Sequence, residues 1–345
     1  MNKYLFSCVY LTRFCPMRCD YCRLRDSKLT ESEMDTTQWK RAFEELEELG
    51  VSFHLILGNE PLAVQGIVDF IRWLGDRMPY AMYSSCSPGL FDRLKYDLVR
   101  AGLKNLSCGC DILDFSREVK LGDMEIKSRR AYSALQEAKV LGVPDRHGTL
   151  TVSRQTLAHA LATVKQMTDK DIWVAINFLH WDKDGGFDFF PKAEEIPDLV
   201  FRESDRSWFE DSIFKIKEEV IKGTVQVQNP PEYFDDAIKH GMDMSWHCKM
   251  PLIYSVDADG RMRCCGYRRG THSPKFSIFD VRKNLSNFVI ANDQDRQDCP
   301  GCFWSYWWQA DHFYETDQKE FGMGVFQFHD SKYYKGEQYD KKLQS

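Results

Sequence analysis

Tyr4-Leu-Phe-Ser-Cys-Val-Tyr-Leu11, an apolar run of strand length, is followed after three residues by Cys15-Pro16-Met17-Arg18-Cys19-Asp20-Tyr21-Cys22. A strand that ends in a tight cysteine loop is here the first unit of a longer pattern. Further short apolar runs lie at 53–57, 80–84, 105–110, 149–152 and 172–178. Between them, apolar residues recur at helical spacing over 36–49, 64–77, 89–101, 127–141 and 155–167. Strands alternating with helices predict a parallel sheet covered by helices.

The loop spacing is C-x3-C-x2-C. Three thiolates on one loop suit an iron–sulfur cluster, because soft sulfur ligands suit that chemistry. A closed structural site would call for a fourth protein ligand, so three ligands leave one metal position open. A zinc knuckle completed by a remote ligand is the plainer alternative. The spacing, with Tyr21 just before the last cysteine, resembles the signature of the radical S-adenosylmethionine (radical SAM) enzymes. The resemblance implies that Cys15, Cys19 and Cys22 hold a 4Fe–4S cluster, with SAM filling the open position. It also implies a partial (β/α)6 TIM-like barrel, of class α/β, with the active site at the C-terminal ends of its strands.

Composition bounds the alternatives. A 345-residue chain with 43% hydrophobic and 14% aromatic residues can build a large core, so disorder is not expected. The net charge is −6 and no basic stripe is interleaved with aromatics, so nucleic acid is not an expected partner. No run approaches the roughly 18 apolar residues that span a bilayer, and no signal-peptide cleavage site follows the first run, so no membrane is expected. Twelve cysteines without a secretion signal read as metal ligands rather than disulfides. Oxygen-sensitive clusters point to a reducing compartment, the cytoplasm.

After the second strand comes Gly58-Asn59-Glu60-Pro61. It resembles the GGEP motif of the same enzymes, which holds the SAM amino group. Asn59 replaces the second glycine, and Asn tolerates left-handed backbone better than most residues; an ordinary strand-to-helix turn is the competing reading. The resemblance also places Ser84 and Ser85, at the end of the third strand, beside SAM. Arg129, Ser153 and Arg154 are candidates for the ribose or the methionine carboxylate, Arg because its fork is bidentate. A helix cap at Ser153 and a solvated charge at Arg129 explain them equally. Cys108 and Cys110 share one face of the fourth strand; if that face is the barrel interior, a thiol there is a candidate hydrogen-atom donor. His180 follows the sixth strand and is a candidate to bind or deprotonate substrate, with Asn177 and Asp182 beside it.

A second cysteine set follows. Cys248, Gly260 and Cys265 read C-x11-G-x4-C, and Cys299 and Cys302 add C-x2-C. The intervening segment reads as a β-hairpin turning at Asp259-Gly260, which would bring Cys248 and Cys265 together. Four cysteines make a closed site, and a zinc ribbon fits the spacing as well. The set resembles the C-terminal SPASM/twitch extension of radical SAM enzymes. No cysteine follows Cys302, so the truncated twitch form with one auxiliary 4Fe–4S cluster is implied. Cys264 abuts Cys265 and could replace it as a ligand; the family spacing favours Cys265.

The expected domains are a radical SAM partial barrel over 1–240, a small α+β auxiliary-cluster module over 241–320, and a polar tail over 321–345. The expected reaction is reductive cleavage of SAM, hydrogen abstraction, and oxidation of the substrate radical through the auxiliary cluster: dehydrogenation of a polar small metabolite. The alternatives are a maturase forming a thioether or carbon–carbon crosslink in a ribosomally made peptide, or an epimerase with a cysteine hydrogen donor. A non-catalytic zinc module is the remaining class. Peptide-modifying members often carry an N-terminal leader-binding domain, and the first strand starts almost at residue 4, which favours the small molecule. The expected electron donor is of flavodoxin or ferredoxin type.

Overall fold

The computed structural model describes residues 5–23, 32–75, 77–87, 89–113, 123–187, 189–249 and 253–316. The polar tail lies outside these residues. Six parallel strands alternate with helices in the expected order: β1 (Leu5–Tyr10), α1 (Thr36–Glu48), β2 (Val51–Leu57), α2 (Ile67–Leu74), β3 (Tyr80–Ser84), α3 (Leu90–Arg100), β4 (Asn105–Gly109), α4 (Asp123–Val140), β5 (Asp145–Val152), α5 (Leu157–Thr168) and β6 (Trp173–Phe178). Local signals set the boundaries. Asp35 and Gln38, for example, form a reciprocal capping box at the start of α1, and the amphipathic face behind it buries Trp39, Ala42, Phe43 and Leu46.

Beyond β6 come α6 (Arg206–Ile221) and α7 (Pro231–His240), then β7 (Tyr254–Val256), β8 (Met262–Arg263), α8 (Ile278–Val281), α9 (Leu285–Gln297) and α10 (Ser305–Thr316). Between α6 and α7 the chain touches the sheet edge through one parallel bridge, Val174 to Val227. The hairpin forms as expected: β7 and β8 are antiparallel, and Gly260 turns between them at φ 79°. β7 also pairs in parallel with β1, placing Tyr254 opposite Ser7. The hairpin therefore extends the main sheet, whose order is β6-β5-β4-β3-β2-β1-β7-β8. The sheet is not closed.

Each face of the sheet is buried differently. One face, carrying Val9, Ile56, Met82, Leu106, Leu150 and Ile176, packs against the flanking helices. The concave face, carrying Phe6, Cys8, Tyr10, Phe53, Leu55 and Ala175, is filled by Trp304, Tyr306, Trp307 and Ala310 at the start of α10. The N-terminus of α10 is anchored there by Asn177, whose Oδ1 accepts from the Ser305 backbone N–H at 3.0 Å and from its hydroxyl at 2.5 Å. No helix among the described residues is long and apolar enough to cross a membrane.

Candidate active site

The cysteine loop leaves the end of β1 and is held by the turn after β2. Gly58 has φ 124°, and a Cβ there would sit 3.1 Å from the Thr12 carbonyl oxygen, so glycine permits the close approach. Asn59 donates its backbone N–H to Thr12 O at 3.1 Å and its side-chain amide to Arg13 O. Asn59 is not left-handed, contrary to expectation; among described non-glycine residues only Cys86, Asp171 and Met244 have positive φ. Its value at that position is the amide donor that fixes Arg13, two residues before Cys15.

Cys15, Cys19 and Cys22 line a cavity of about 310 Å³ at the C-terminal ends of the strands, together with Gly58, Asn59, Ser84 and Ser85. Among the described residues no fourth cysteine lines that cavity, which fits a cluster with one open iron. Burial pushes the Cys15 thiol up to about 12, partly offset by the Met17 backbone N–H that its sulfur accepts.

Glu60 and Pro61 stand behind this wall rather than in it. Glu60 is fully buried and accepts from Leu62 N at 3.0 Å, Ser84 Oγ at 2.7 Å, Ser85 N at 3.0 Å and the Ser85 hydroxyl. Burial raises its pKa, and those donors pull the other way. The carboxyl group thus braces the two serines that face the cavity.

Of the cations on α4, Lys127 and not Arg129 lines the cavity. Arg129 is exposed and pairs with Glu125 at 2.7 Å, one turn away. Lys127 is buried, lines the cavity, and meets Asp111 at 2.6 Å. The Tyr21 hydroxyl donates to the same Asp111 oxygen at 2.8 Å and also contacts Lys127. Burial opposes the charge on Lys127, but Asp111 and Tyr21 more than reverse that and its pKa is raised. The available signal was a Lys in the first turns of a helix following a strand-end Asp, too common a pairing to single out.

Ser153 and Arg154 do not reach the cavity. Ser153 forms a turn with Thr156 at the start of α5, and Arg154 pairs with Asp205 at 2.8 Å. Cys108 and Cys110 point away as well. They lie in the core between sheet and helices, and Cys108 Sγ is 3.0 Å from Cys86 Sγ. The cavity side of β4 shows Ser107 and Gly109 instead. His180 does line the cavity. Its Nε2 accepts from Phe303 N at 3.2 Å, and its ring stacks on Phe190 at 5.2 Å. Burial, followed by the charge on Lys183, lowers its pKa to about 3. The ring is neutral at pH 7, with its proton on Nδ1. Asp182 folds its own loop by accepting from Gly185 N at 2.9 Å.

The opposite wall is aromatic: Tyr10, Phe189, Phe190, Tyr267, Trp304 and Tyr306. Behind it the second cysteine set is gathered. Cys302 feels the charges of Cys248, Cys265 and Cys299, after burial the largest causes that raise its pKa. Cys265 Sγ accepts backbone N–H groups from Tyr267 at 3.4 Å and Arg268 at 3.2 Å. A hydrogen bond from Cys264 and those two N–H groups pull its thiol below the usual range, against burial. These donors favour negative charge on Cys265 rather than on Cys264, which fits a cluster ligand. No three His, Cys, Asp or Glu side chains among the described residues converge as a single metal ion would need; a four-iron cube holds its thiolates farther apart.

The sequence profile of the Radical SAM superfamily matches residues 9–175, which carry the cysteine loop, the Gly58 turn and the strands up to β6. Residues 9–175 form a radical SAM domain. With that domain come SAM and one 4Fe–4S cluster as cofactors. Curated relatives include the PqqA peptide cyclases of Methylobacterium nodulans, 27% identical over 135 residues, and of Granulibacter bethesdensis, 24% identical over 135 residues. Each match covers 39% of this chain and 36% of the relative, so the shared region spans about a third of those proteins. Among solved structures, Streptococcus suis SuiB bound to the precursor peptide SuiA aligns with a TM-score of 0.57 at 13% identity, over 95% of this chain and 77% of that one. The structure of anSMEcpe with bound AdoMet and Cp18Cys peptide aligns at 0.50 and 13% identity, over 93% and 96%. At such identities the likeness is one of fold.

Proposed function

We propose that this radical SAM chain modifies a peptide, forming a crosslink in a ribosomally made precursor. The observation that carries this reading is the wall facing the three cysteines. Tyr10, Phe189, Phe190, Tyr267, Trp304 and Tyr306 make a mostly apolar chamber, which suits an amino-acid side chain better than a polyhydroxylated metabolite. The peptide cyclases among the relatives support the same choice. Dehydrogenation of a polar small metabolite, the first expectation from sequence, takes second place.

In this reading Cys15, Cys19 and Cys22 hold the cluster, and Gly58, Asn59, Ser84 and Ser85 form the SAM side of the cavity. The chemistry these groups supply when bound is one-electron cleavage of SAM to a 5′-deoxyadenosyl radical. Lys127, held by Asp111, offers a cation to a carboxylate in the cavity. Glu60 keeps Ser84 and Ser85 in place. His180, neutral, can donate a hydrogen bond through Nδ1 but is a poor base at pH 7. The aromatic wall excludes water from the reacting groups.

Cys248, Cys265, Cys299 and Cys302, in a twitch-like module over 241–320 that follows the barrel of 1–240, are assigned an auxiliary 4Fe–4S cluster. Their mutual proximity and the two N–H donors on Cys265 support it. The electron donor is assigned to the flavodoxin or ferredoxin class, and the protein to the cytoplasm, a reducing compartment that suits oxygen-sensitive clusters.

Anaerobic reconstitution should give about eight irons per chain if both clusters assemble. Two substrate pools then separate the readings: short peptides rich in Tyr, Phe and Cys, and a mixture of polyols and aminosugars. Faster 5′-deoxyadenosine formation with peptides, and a peptide product lacking two hydrogens, is expected. Stimulation by the polyol pool alone would sink the peptide reading.

A further inference from the structure

Arg263 is 1% exposed and sits directly behind the aromatic wall. Its guanidinium lies 5.1 Å from the Tyr10 ring and 4.7 Å from the Phe189 ring, and both rings line the cavity. On its other side, Nε donates to the Cys265 carbonyl oxygen at 3.4 Å. Nη1 pairs at 3.1 Å with Asp257, whose side chain is also 1% exposed. Asp257 in turn binds Arg13, two residues before Cys15. A buried cation therefore stands between the substrate chamber and the second cysteine set, fixed by a carboxylate shared with the first cysteine loop.

Burying a guanidinium is costly, and it persists only where hydrogen bonds and neighbouring charges hold it. Aromatic faces supply part of that through cation–π contact. Its position has an electrostatic consequence. One-electron reduction of a thiolate-bound centre adds one negative charge. A fixed cation in a dry interior favours the more negative state, with little screening by salt. Charge and hydrogen bonding around the sulfurs are among the factors that set cluster potentials.

Resting on the auxiliary-cluster reading above, we propose that Arg263 is a positioning residue that raises the reduction potential of the centre held by Cys248, Cys265, Cys299 and Cys302, and that Asp257 opposes it. Arg263 touches neither substrate nor sulfur in this role; it acts through its charge on the backbone and wall beside Cys265. The same charge matters less to Cys15, Cys19 and Cys22, because Asp257, which pairs with both Arg263 and Arg13, offsets it on that side.

The test is a mediated redox titration of the reconstituted holoprotein, with dithionite as electron source and the two centres followed by electron paramagnetic resonance. Arg263→Gln should lower the reduced-to-oxidised ratio of the auxiliary centre at least tenfold at fixed potential, a shift of about 59 mV for one electron. Asp257→Asn should move the ratio the other way. The ratio of the N-terminal centre should change less than threefold in both. If Arg263→Gln fails to assemble its clusters, the sign of the Asp257→Asn shift decides alone. Auxiliary ratios within threefold of the parent, or an Asp257→Asn shift in the same direction as Arg263→Gln, overturn the proposal. A parent protein holding only about four irons and one resonance signal overturns the auxiliary-cluster reading beneath it.

Discussion

Lys127 Nζ lies 2.6 Å from Asp111 Oδ2, with side chains 6% and 1% exposed, and the pair is bound to Tyr21 inside the cysteine loop. A buried ion pair adds little net stability, but breaking it strands a charge at a cost of about 3–5 kcal/mol. Lys127→Met should lower unfolding stability by about that amount, and the Lys127→Met/Asp111→Leu double variant should recover part of it. Chemical denaturation checks both. A double variant as unstable as the sum of the singles would show that the two charges do not depend on each other. Arg129→Ala, which removes a solvated pair, should change stability by less than about 0.5 kcal/mol.

Acid should destabilise the fold through two buried histidines. Burial lowers the pKa of His54 and of His180 to about 3 each, whereas an unfolded His titrates near 6.5. The native rings stay neutral while the unfolded ones take protons. The stability they contribute is thus complete above pH 6.5 and is lost as pH falls from there towards 3. Each contributes a slope of about 1.4 kcal/mol per pH unit. Denaturant unfolding at pH 7.5, 6.5 and 5.5 should show this slope, and a His54→Gln/His180→Gln variant should flatten it. An unchanged slope in that variant refutes the account.

Gly58→Ala should damage the SAM site beyond its effect on stability. A Cβ 3.1 Å from the Thr12 carbonyl, at φ 124°, pushes on the start of the cysteine loop, with a strain of about 1–3 kcal/mol. SAM affinity, measured by equilibrium dialysis on the reconstituted protein, is expected to fall at least tenfold, roughly 1.4 kcal/mol. Gly50→Ala is the control: φ is 85° but nothing lies within 4 Å of the added Cβ, so stability alone should change. Equal SAM binding by both variants would rule out the proposed role of the Gly58 turn.

Cys108→Ala and Cys110→Ala should leave product formation unchanged and cost only packing, about 1 kcal/mol each. Both thiols face the helices. Loss of product, or a changed stereochemical outcome, in either variant would mean that the strand presents its other face during turnover.

Much of the fold could be read from local pattern. The six strands and five helices of the barrel follow apolar periodicity, and the hairpin at Gly260 was visible in its turn residues. The three cysteines and Gly58 could be located because loop chemistry depends on short spacings. Boundaries differed by only a few residues where a cap such as Asp35 marks them.

Sequence alone determined the order of elements, the three-cysteine loop, and the existence of a second cysteine set. These are set by contacts within a few residues, where spacing is geometry. Tertiary structure alone decided which side chains meet. β4, continued by one residue, alternates Asn105, Ser107 and Gly109 with Leu106, Cys108 and Cys110. Which of these two faces meets the cavity was decided by packing, and it is the face of Ser107 and Gly109. Lys127 and Arg129 are two residues apart, about 200° around a helix, and only packing chose between them. The pairing of β7 with β1 and the filling of the concave face by Trp304 and Tyr306 join segments some 250–300 residues apart in sequence. Such contacts depend on shape and burial across the whole chain, and no local window contains them.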